Sequence, residues 1–352
     1  MRTVIETSNC LLGIGYTSII ASHLLKEKGV DSIVIGLSND KAVFDLQLSN
    51  CSISPLPIFP VKDSSLYQAL KLSELFPQTI VDISHSEIKN CDPSNLIIRH
   101  NSLADFILKD SSAVKAFSLS LKQWGSAMLE KPFSEVQNKI KRHYLSGNNN
   151  FRVGYLNGLT LYYHFMKQSD PNILHFNAIE KIDYTNKIVF TDSFEIHFKK
   201  LISTIPVNHL LSNCKIKMNT PLAFEGSYFF YFSHTSEFKA NKIIYDYDLN
   251  SDILRAFSAT DNIIVTQLPG YKKGKIKIVD VSQRLCELVP TLKELKFEQE
   301  LHLSMSYPIE AITDSHTLES IHLLNDNSVL TFGRFGSWEY LDLHELNWES
   351  IL

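Results

Sequence analysis

The N-terminal residues show a hydrophobic pattern typical of a strand, a helix and a second strand. An apolar run ends at Gly13, and from about Tyr16 isoleucine and leucine residues recur at the spacing of an amphipathic helix. Gly29 stands where this helix would end, and the segment SIVIGL, residues 32–37, returns to an extended pattern. The chain is therefore predicted to open with one βαβ unit.

Further along the chain, the pattern changes from helical to extended. Residues 63–145 are mostly helical in their periodicity, with segments such as SAVKAFSLSLKQW. Residues 173–206 show short apolar stretches separated by the turn sequences YTNK and TDS, and another strand-rich block begins at GSYFFYFSH. This order predicts an α/β fold in which a Rossmann-like nucleotide-binding domain is assembled from discontinuous segments.

Composition narrows the functional classes. The 352 residues include 34 Lys and Arg against 38 Asp and Glu, with neither sign gathered into a block, so we expect no nucleic-acid partner. We expect no membrane span and a cytoplasmic location, because no window approaches roughly 20 consecutive apolar residues. The five cysteines form no CxxC pair, which argues against a metal site and predicts buried apolar cysteines. A small-molecule substrate fits best, and the oligomeric state stays open.

A glycine turn joins the first strand to the helix. Gly13, Gly15 and Ser18 occupy the three positions of the dinucleotide-binding pattern GxGxx(G/A). The first position permits a tight turn, the second lets the backbone approach a pyrophosphate, and the third permits close packing of the helix on the strand. The helix would then aim its N-terminal amides at the phosphates. The acid expected about 20 residues further on is replaced by Gly36, so a bound ribose would be held another way.

The C-terminal segment carries a more specific pattern. It contains the element YPI at Tyr307 and, from Gly333 to Asp342, the sequence GRFGSWEYLD. This segment resembles the last part of UDP-galactopyranose mutase and its relatives in the flavin amine-oxidase superfamily, where YPI precedes GRxGxYxYxDMD and a helix at the flavin. Upstream, KQWG at residues 122–125, RVGYLNGLTLYYHFM and HFKKLISTIP are similar to further elements of that family and occur in the same order.

The resemblance implies a cofactor and a division of the chain. FAD would lie along the first βαβ unit at Gly13, Gly15 and Ser18, with its isoalloxazine ring held by a C-terminal helix near Gly333 and Asp342. An antiparallel sheet would bind the substrate beside the FAD-binding domain and a helical insert. The implied segments are 1–62, 148–213 and 307–352 for the FAD-binding domain, 63–147 for the helical insert and 214–306 for the substrate-binding sheet.

The resemblance also implies a substrate site for a nucleotide-linked sugar. Arg334, from GRxG, is the first candidate for the diphosphate, because its planar charged fork can engage phosphate in a bidentate manner. Tyr307 and Tyr340 match family positions that contact the diphosphate, and Arg334 and Tyr340 are the expected catalytic pair. Arg255 aligns with a second substrate arginine on a strand of the sheet. Trp124 of KQWG would stack on a nucleobase or sugar.

Several positions depart from the family pattern. The GGR sequence that follows the second strand is absent, and GLSNDKAVFD stands in its place. Pro57, in SPLPIFP, replaces the histidine of the flavin-facing segment GPHIFH. His344 replaces the second acid of DMD, and Leu341 replaces the neighbouring tyrosine.

Three functions therefore stay open. The first is an FAD-dependent mutase that acts on a nucleotide sugar with reduced flavin as the nucleophile. The second is an amine-oxidase-type flavin oxidoreductase, and the third is a member of the fold that has lost catalysis and serves as a binding or scaffold protein. The visible spectrum of the purified protein separates the third from the first two.

Overall fold

The fold was analysed on a computed structural model. It describes residues 2–37, 46–48, 51–53, 66, 69–70, 82–87, 100–109, 113–136, 158–236, 242–272, 274–309 and 312–352. Pro57 lies outside the described residues, as do nearly all of GLSNDKAVFD and the RVGYLN part of the GY-containing element.

Strands and helices are numbered here in chain order over the described residues. The strands are β1 Thr3–Leu12, β2 Ser32–Leu37, β3 Leu46–Leu48, β4 Cys51–Ile53, β5 Asp82–His85, β6 Asn172–Phe176, β7 Ile179–Asp183, β8 Ile188–Thr191, β9 Phe194–Ser203, β10 Phe224–Ser233, β11 Lys242–Tyr245, β12 Arg255–Thr260, β13 Ile263–Pro269, β14 Lys296–Pro308 and β15 Val329–Thr331. The α-helices are α1 Tyr16–Glu27, α2 Leu103–Ile107, α3 Ala113–Trp124, α4 Ser126–Leu129, α5 Phe133–Val136, α6 Gly158–Ser169, α7 Val207–Asn213, α8 Ile278–Leu288, α9 Ser315–Asp326 and α10 Gly333–Gly336. Short 3₁₀ turns cover Gly270–Lys272, Leu343–Glu345 and Trp348–Ser350.

The first sheet is seven-stranded and largely parallel. β6, β2, β1 and β9 lie side by side in that order, and β15 pairs in parallel with the last residues of β9. The hairpin β7–β8 continues the sheet antiparallel to the first half of β9. Since the parallel strands end at one edge, the loops after β1, β9 and β15 meet there. In open parallel sheets this edge is where ligands bind.

Apolar side chains cover both faces of this sheet, as parallel sheets require. Leu11 belongs to the cluster beneath α1 and α6, with Phe165. Its neighbour Leu12 belongs to the cluster on the opposite face, with Leu210 of α7 and Leu324 of α9. This two-sided burial explains why the end of β1 is a continuous apolar run instead of an alternating one.

The predicted βαβ unit is confirmed, including its limits. α1 begins at Tyr16, and Gly29 adopts a left-handed conformation with φ of +70° directly after it. The Gly29 amide donates to Lys26 O at 2.8 Å, and the Val30 amide donates to Leu25 O at 2.9 Å. These two bonds satisfy carbonyls at the helix end, and glycine reaches this backbone conformation without steric cost.

The second sheet is six-stranded, in the order β14-β10-β13-β12-β11-β5, and is antiparallel apart from β5. One face packs on α8, where Phe230 and Phe232 meet Leu285. Phe229 and Tyr231 lie on the other face. The predicted combination of a parallel-dominated sheet, helical elements and a separate antiparallel sheet is thus confirmed.

Segment limits differ from the expectation in two places. The insert expected at 63–147 contributes β5, which pairs in parallel with β11 at the edge of the second sheet. Tyr307 and Pro308 are the last residues of β14, so the limit expected at 307 falls inside a strand. Both features depend on pairing between distant segments, which a local hydrophobic pattern does not contain.

Two local expectations were wrong. The residues after Asp342 form two 3₁₀ turns and not a helix, because Leu346 between them is extended, with φ of −68° and ψ of 141°. The Trp348 indole donates to Leu343 O at 2.8 Å and holds these turns together. Cys10 and Cys214 are buried as expected, but Cys286 is exposed on α8. Among the described helices, none has the length and apolar character needed to cross a membrane.

Candidate functional site

Gly13 closes the turn at the end of β1. Its φ is +114°, and a side chain there would place Cβ 2.4 Å from Thr204 Oγ1, which is too close for any atom pair without movement. The Gly13 amide donates to Ile35 O at 2.9 Å, and the Thr204 hydroxyl donates to Leu12 O at 3.0 Å. The turn after β1 is thereby fixed to β2 and to the loop after β9, and only glycine fits at its centre.

Gly15 faces open space at the N-terminus of α1. Apart from its chain neighbours, no atom of the described residues lies within 4 Å of a Cβ built there, and φ of −76° and ψ of 177° suit any residue. Gly15 has no side chain that could cap the helix, and the first turn of α1 contains no acid, so the helix itself supplies no negative charge at this end. Ser18, the third residue of the pattern, is fully buried, and its hydroxyl lies 2.8 Å from Thr204 Oγ1. The turn from Gly13 to Gly15 and the first turn of α1 together have the space and the donors that a phosphate group requires.

The position of the missing acid is filled by an apolar contact. A Cβ at Gly36 would lie 2.3 Å from Ile14 Cγ2, and Ile14 is buried in the core beneath α1. A carboxylate at the end of β2 is therefore excluded by the residue between the two glycines of the turn. Among the described residues, the turn fits the phosphates of a dinucleotide, and position 36 carries no acid for its ribose.

The C-terminal segment packs against this turn through two glycines. Gly333 has φ of +85°, and its Cβ would lie 3.1 Å from Thr17 Cγ2 in the first turn of α1. At Gly336, a Cβ would lie 2.6 Å from Ser203 O at the end of β9. Close approach at both positions brings the GRFG sequence to the ligand-binding edge of the parallel sheet.

Arg334 is paired within its own segment. Its Nη2 lies 2.9 Å from Asp342 Oδ1, and its Nε donates to Leu341 O at 3.1 Å. The guanidinium carbon lies 5.1 Å from the ring centroid of Tyr340 and 5.7 Å from that of Tyr307. Both members of the ion pair are about one-quarter exposed, at 25% for Arg334 and 26% for Asp342. The charge of Arg334 is therefore already balanced by Asp342.

Arg255 approaches the same tyrosines from the second sheet. Its Nε donates to Gln267 Oε1 at 2.7 Å, and the Gln267 amide nitrogen donates to the Tyr307 hydroxyl at 2.8 Å. The rings of Tyr307 and Tyr340 lie 5.3 Å apart. Arg255, Tyr307, Tyr340 and Arg334 thus form one group, although they come from β12, β14 and the C-terminal segment.

The charge of Arg255 has a different environment from that of Arg334. Burial opposes the charge, but the neighbouring phenols of Tyr307 and Tyr245 outweigh this effect and raise the pKa of Arg255 above its usual value. Within the described part of the chain, its hydrogen-bond partners are an amide and a phenol, and it forms no ion pair. A partly buried guanidinium without a carboxylate partner can accept an anion, and the proposal below uses this property.

Trp124 lies in the core of the helical elements. It is 7% exposed and packs with Leu103 and Phe117. Its neighbour Lys122 is the residue of KQWG that reaches the second sheet, where Nζ donates to Asp246 O at 2.8 Å. Burial lowers the pKa of Lys122. The described contacts of KQWG therefore attach the helical elements to the sheet.

Gln267 and Thr204 were not predicted from the sequence. Gln267 connects Arg255 to Tyr307 and also donates to the Ser227 hydroxyl at 3.0 Å, while being 2% exposed. A signal was present in β13, IIVTQLP, because a polar residue inside an otherwise apolar buried strand needs internal partners. Thr204 follows β9 in the STIP sequence, where nothing local marks it as a partner of Gly13.

Comparison with solved structures shows similarity over most of the chain. Reduced UDP-galactopyranose mutase matches with a TM-score of 0.66 and 13% identity, covering 95% of this chain and 91% of that protein. An oxidoreductase from Methanosarcina mazei matches with a TM-score of 0.61 and 13% identity, covering 88% and 91%. A triple mutant of putrescine oxidase matches with a TM-score of 0.54 and 11% identity, covering 84% of each chain.

No protein-family model and no curated protein sequence matches the chain. The similarity is one of structure, at identities too low to indicate a shared reaction. The expected resemblance is confirmed at that level: this chain has the fold of UDP-galactopyranose mutase and putrescine oxidase.

Proposed function

We propose that this protein is a flavin-dependent enzyme that binds FAD and acts on a nucleotide-linked sugar. FAD would lie with its phosphates at the N-terminus of α1, where Gly15 leaves open space beside the amides of the first turn. The fold shared with UDP-galactopyranose mutase and putrescine oxidase supports a cofactor in this position. The Gly36–Ile14 contact means that the adenosine ribose would be held without the usual carboxylate.

The observation that carries the choice of substrate is the charge of Arg255. This guanidinium contacts Gln267 and is surrounded by the phenols of Tyr245, Tyr307 and Tyr340, without a carboxylate in the described structure. A buried charge of this kind is stabilised when an opposite charge binds. A diphosphate supplies that charge, and the phenolic hydroxyls supply further donors without adding charge of their own.

The proposed chemistry follows from this arrangement. Arg255 would bind the diphosphate of the substrate and stabilise the negative charge that grows on it as the bond to the sugar breaks. Tyr307, fixed by Gln267, and Tyr340 would orient the diphosphate beside Arg334. Bound FAD in its reduced form would supply a nucleophilic nitrogen for the sugar. Arg255 would hold the departed diphosphate until the sugar has opened and reclosed. Return of the diphosphate to the sugar would then release the cofactor nitrogen and give an isomer without net redox change.

Amine oxidation fits this site less well. An amine substrate is a cation at neutral pH, and it would enter beside the guanidinium group of Arg255, which no carboxylate of the described residues balances. Like charges in a partly buried site repel strongly, because water screens them poorly there. The structural similarity to putrescine oxidase therefore supports a flavin site more than it supports an amine substrate.

A binding or scaffold role is the second candidate, and the Gly36–Ile14 contact favours it. The buried Ile14 side chain occupies the space in which dinucleotide-binding folds place an acid for the ribose. A chain that retained the fold without a need for tight cofactor binding would tolerate this change. The presence or absence of flavin in the purified protein decides between the two candidates.

The experiment compares two incubations of the protein with added FAD. One contains UDP-sugars, with and without dithionite, and the other contains putrescine and related amines in air. Our proposal predicts an isomerised sugar that forms only after reduction and is lost in Arg255→Met, which removes the charge but keeps a long side chain. Hydrogen peroxide from an amine, with no sugar turnover in either redox state, would favour the oxidase. If neither an isomerised sugar nor hydrogen peroxide forms, and no flavin is bound, the scaffold role is favoured.

A further inference from the structure

Gln267 is a buried polar residue that connects three side chains of the second sheet. It stands directly opposite Arg255 in the pairing of β12 with β13 and is 2% exposed. Its Oε1 lies 2.7 Å from Arg255 Nε. Its Nε2 lies 3.0 Å from Ser227 Oγ and 2.8 Å from the Tyr307 hydroxyl. Both polar atoms of the Gln267 side chain are therefore engaged within the protein.

The chemistry of these groups fixes the direction of every bond. A guanidinium carries donors and no acceptor, so the amide atom that faces Arg255 Nε must be the oxygen. The nitrogen of the amide then faces Ser227 and Tyr307, and an amide nitrogen can only donate. Both hydroxyls must accept from Gln267, and this leaves their own protons directed away from it.

Neither hydroxyl has an acceptor for its own proton among the described residues. Gln267 is the hydrogen-bond partner that each of them has there. Ser227 is 1% exposed and Tyr307 is 7% exposed, so little solvent reaches either side chain. A buried donor without an acceptor is unfavourable. Together with the guanidinium of Arg255, these side chains present donors that a bound ligand with acceptor oxygens would satisfy.

We propose that Gln267 is a specificity-determining residue, which makes the site select a group that only accepts hydrogen bonds, such as the ionised diphosphate of a nucleotide. Arg255 fixes the orientation of the amide, and the amide directs the proton of Tyr307 towards the ligand. A ligand that must donate, such as an ammonium group, would face further donors there and be rejected. The inference rests on the proposed function, because it concerns the same substrate site.

The first test is Gln267→Glu, which keeps the shape of the side chain but replaces its donor by an acceptor. Tyr307 and Ser227 would then turn their protons towards the carboxylate, and Arg255 would gain a counter-ion. We expect the melting temperature of the ligand-free protein to stay unchanged or rise, while the affinity for UDP falls at least about tenfold. Gln267→Met is the neutral control of similar length, and it should lower the melting temperature because Arg255 Nε loses its acceptor.

A double-mutant cycle separates the direction of the Tyr307 proton from the effect of the added charge. Tyr307→Phe in the wild type should weaken the binding of UDP about tenfold or more, because the lost bond is to a charged oxygen. The same change in Gln267→Glu should alter the affinity less than about twofold, because the hydroxyl already donates to the carboxylate. Added charge alone would leave the effect of Tyr307→Phe the same in both backgrounds.

The outcomes separate this inference from the proposed function. Equal losses in the two backgrounds would overturn the inference and leave the nucleotide site in place. A lowered melting temperature for Gln267→Glu would also overturn it, since hydroxyls with other acceptors could not turn towards the carboxylate. If the wild type binds inorganic pyrophosphate but not UDP, the nucleotide substrate is wrong, and the same cycle with pyrophosphate decides the inference. If the wild type binds neither, both fail.

Discussion

The two ends of the candidate site use different chemical groups: one uses the backbone and the other uses side chains. At the phosphate end, Gly13 and Gly15 act by lacking side chains, and the donors are backbone amides of α1. At the arginine end, Arg255, Gln267 and Tyr307 act through side chains that bond to one another across β12, β13 and β14. The first end depends on space at single positions, whereas the second depends on the register of distant strands.

This difference decides how each end should respond to mutation. An added methyl group at the glycine turn either strains the fold or blocks a ligand, depending on which glycine receives it. A conservative change at the arginine end keeps the fold and alters only what the site binds. The predictions below use this contrast, beginning with the largest expected effect.

The first prediction compares Gly13→Ala with Gly15→Ala. At Gly13, alanine must adopt φ of +114° and place its methyl group 2.4 Å from Thr204 Oγ1. We expect the free energy of unfolding to fall by about 3 kcal/mol, from backbone strain and overpacking together. At Gly15 the space is open and φ is −76°, so the loss should stay below about 1 kcal/mol, the cost of a poorer N-cap residue. Urea unfolding measures both, and equal losses would show that the turn is not packed as described.

The second prediction compares Arg255→Lys with Arg334→Lys. An ammonium group cannot reproduce the planar fork, so Arg255→Lys should weaken the binding of UDP by about 1.5–3 kcal/mol. Arg334 is already paired with Asp342 at 2.9 Å and is partly exposed, so its change to lysine should cost less than about 1 kcal/mol. Calorimetric titration with UDP gives both values. A larger loss at Arg334 would reverse the roles assigned to the two arginines.

The third prediction concerns the place of the missing acid. Gly36→Ala sets a methyl group 2.3 Å from Ile14 Cγ2 and should reduce the free energy of unfolding by about 1–2 kcal/mol. In an Ile14→Ala background that carbon is absent, so the same change should cost close to nothing. A double-mutant cycle in urea would measure the coupling between the two residues. Additive effects would mean that Ile14 does not fill this position.

The sequence predicted the glycine turn and the βαβ unit well, because the residues that shape them act locally. Gly13, Gly29 and the start of α1 at Tyr16 follow from residue types that restrict the backbone within a few positions. Nothing in β2 alone shows that Gly36 is packed by Ile14, since that contact joins separate elements.

The arginine end was predicted only through the resemblance to a family. That resemblance named Arg255, Tyr307, Arg334 and Tyr340, which the structure places together. It did not indicate Gln267, because the register of β12 and β13 brings this residue opposite Arg255. The expected C-terminal helix was wrong for a local reason: Asp342 and Glu345 form a capping box that begins a 3₁₀ turn, but the extended backbone of Leu346 ends it after three residues.

The central claim is that the open space at Gly15 receives the phosphates of FAD. Equilibrium titration of the protein with FAD, followed by visible absorption, tests this claim directly with the wild type and Gly15→Val. We predict that the wild type binds FAD and that Gly15→Val does not, because the valine side chain fills space that no protein atom occupies. Urea unfolding of the variant should show a fold that is largely retained. A wild type that does not bind FAD, or a folded Gly15→Val that binds it equally well, would contradict the account.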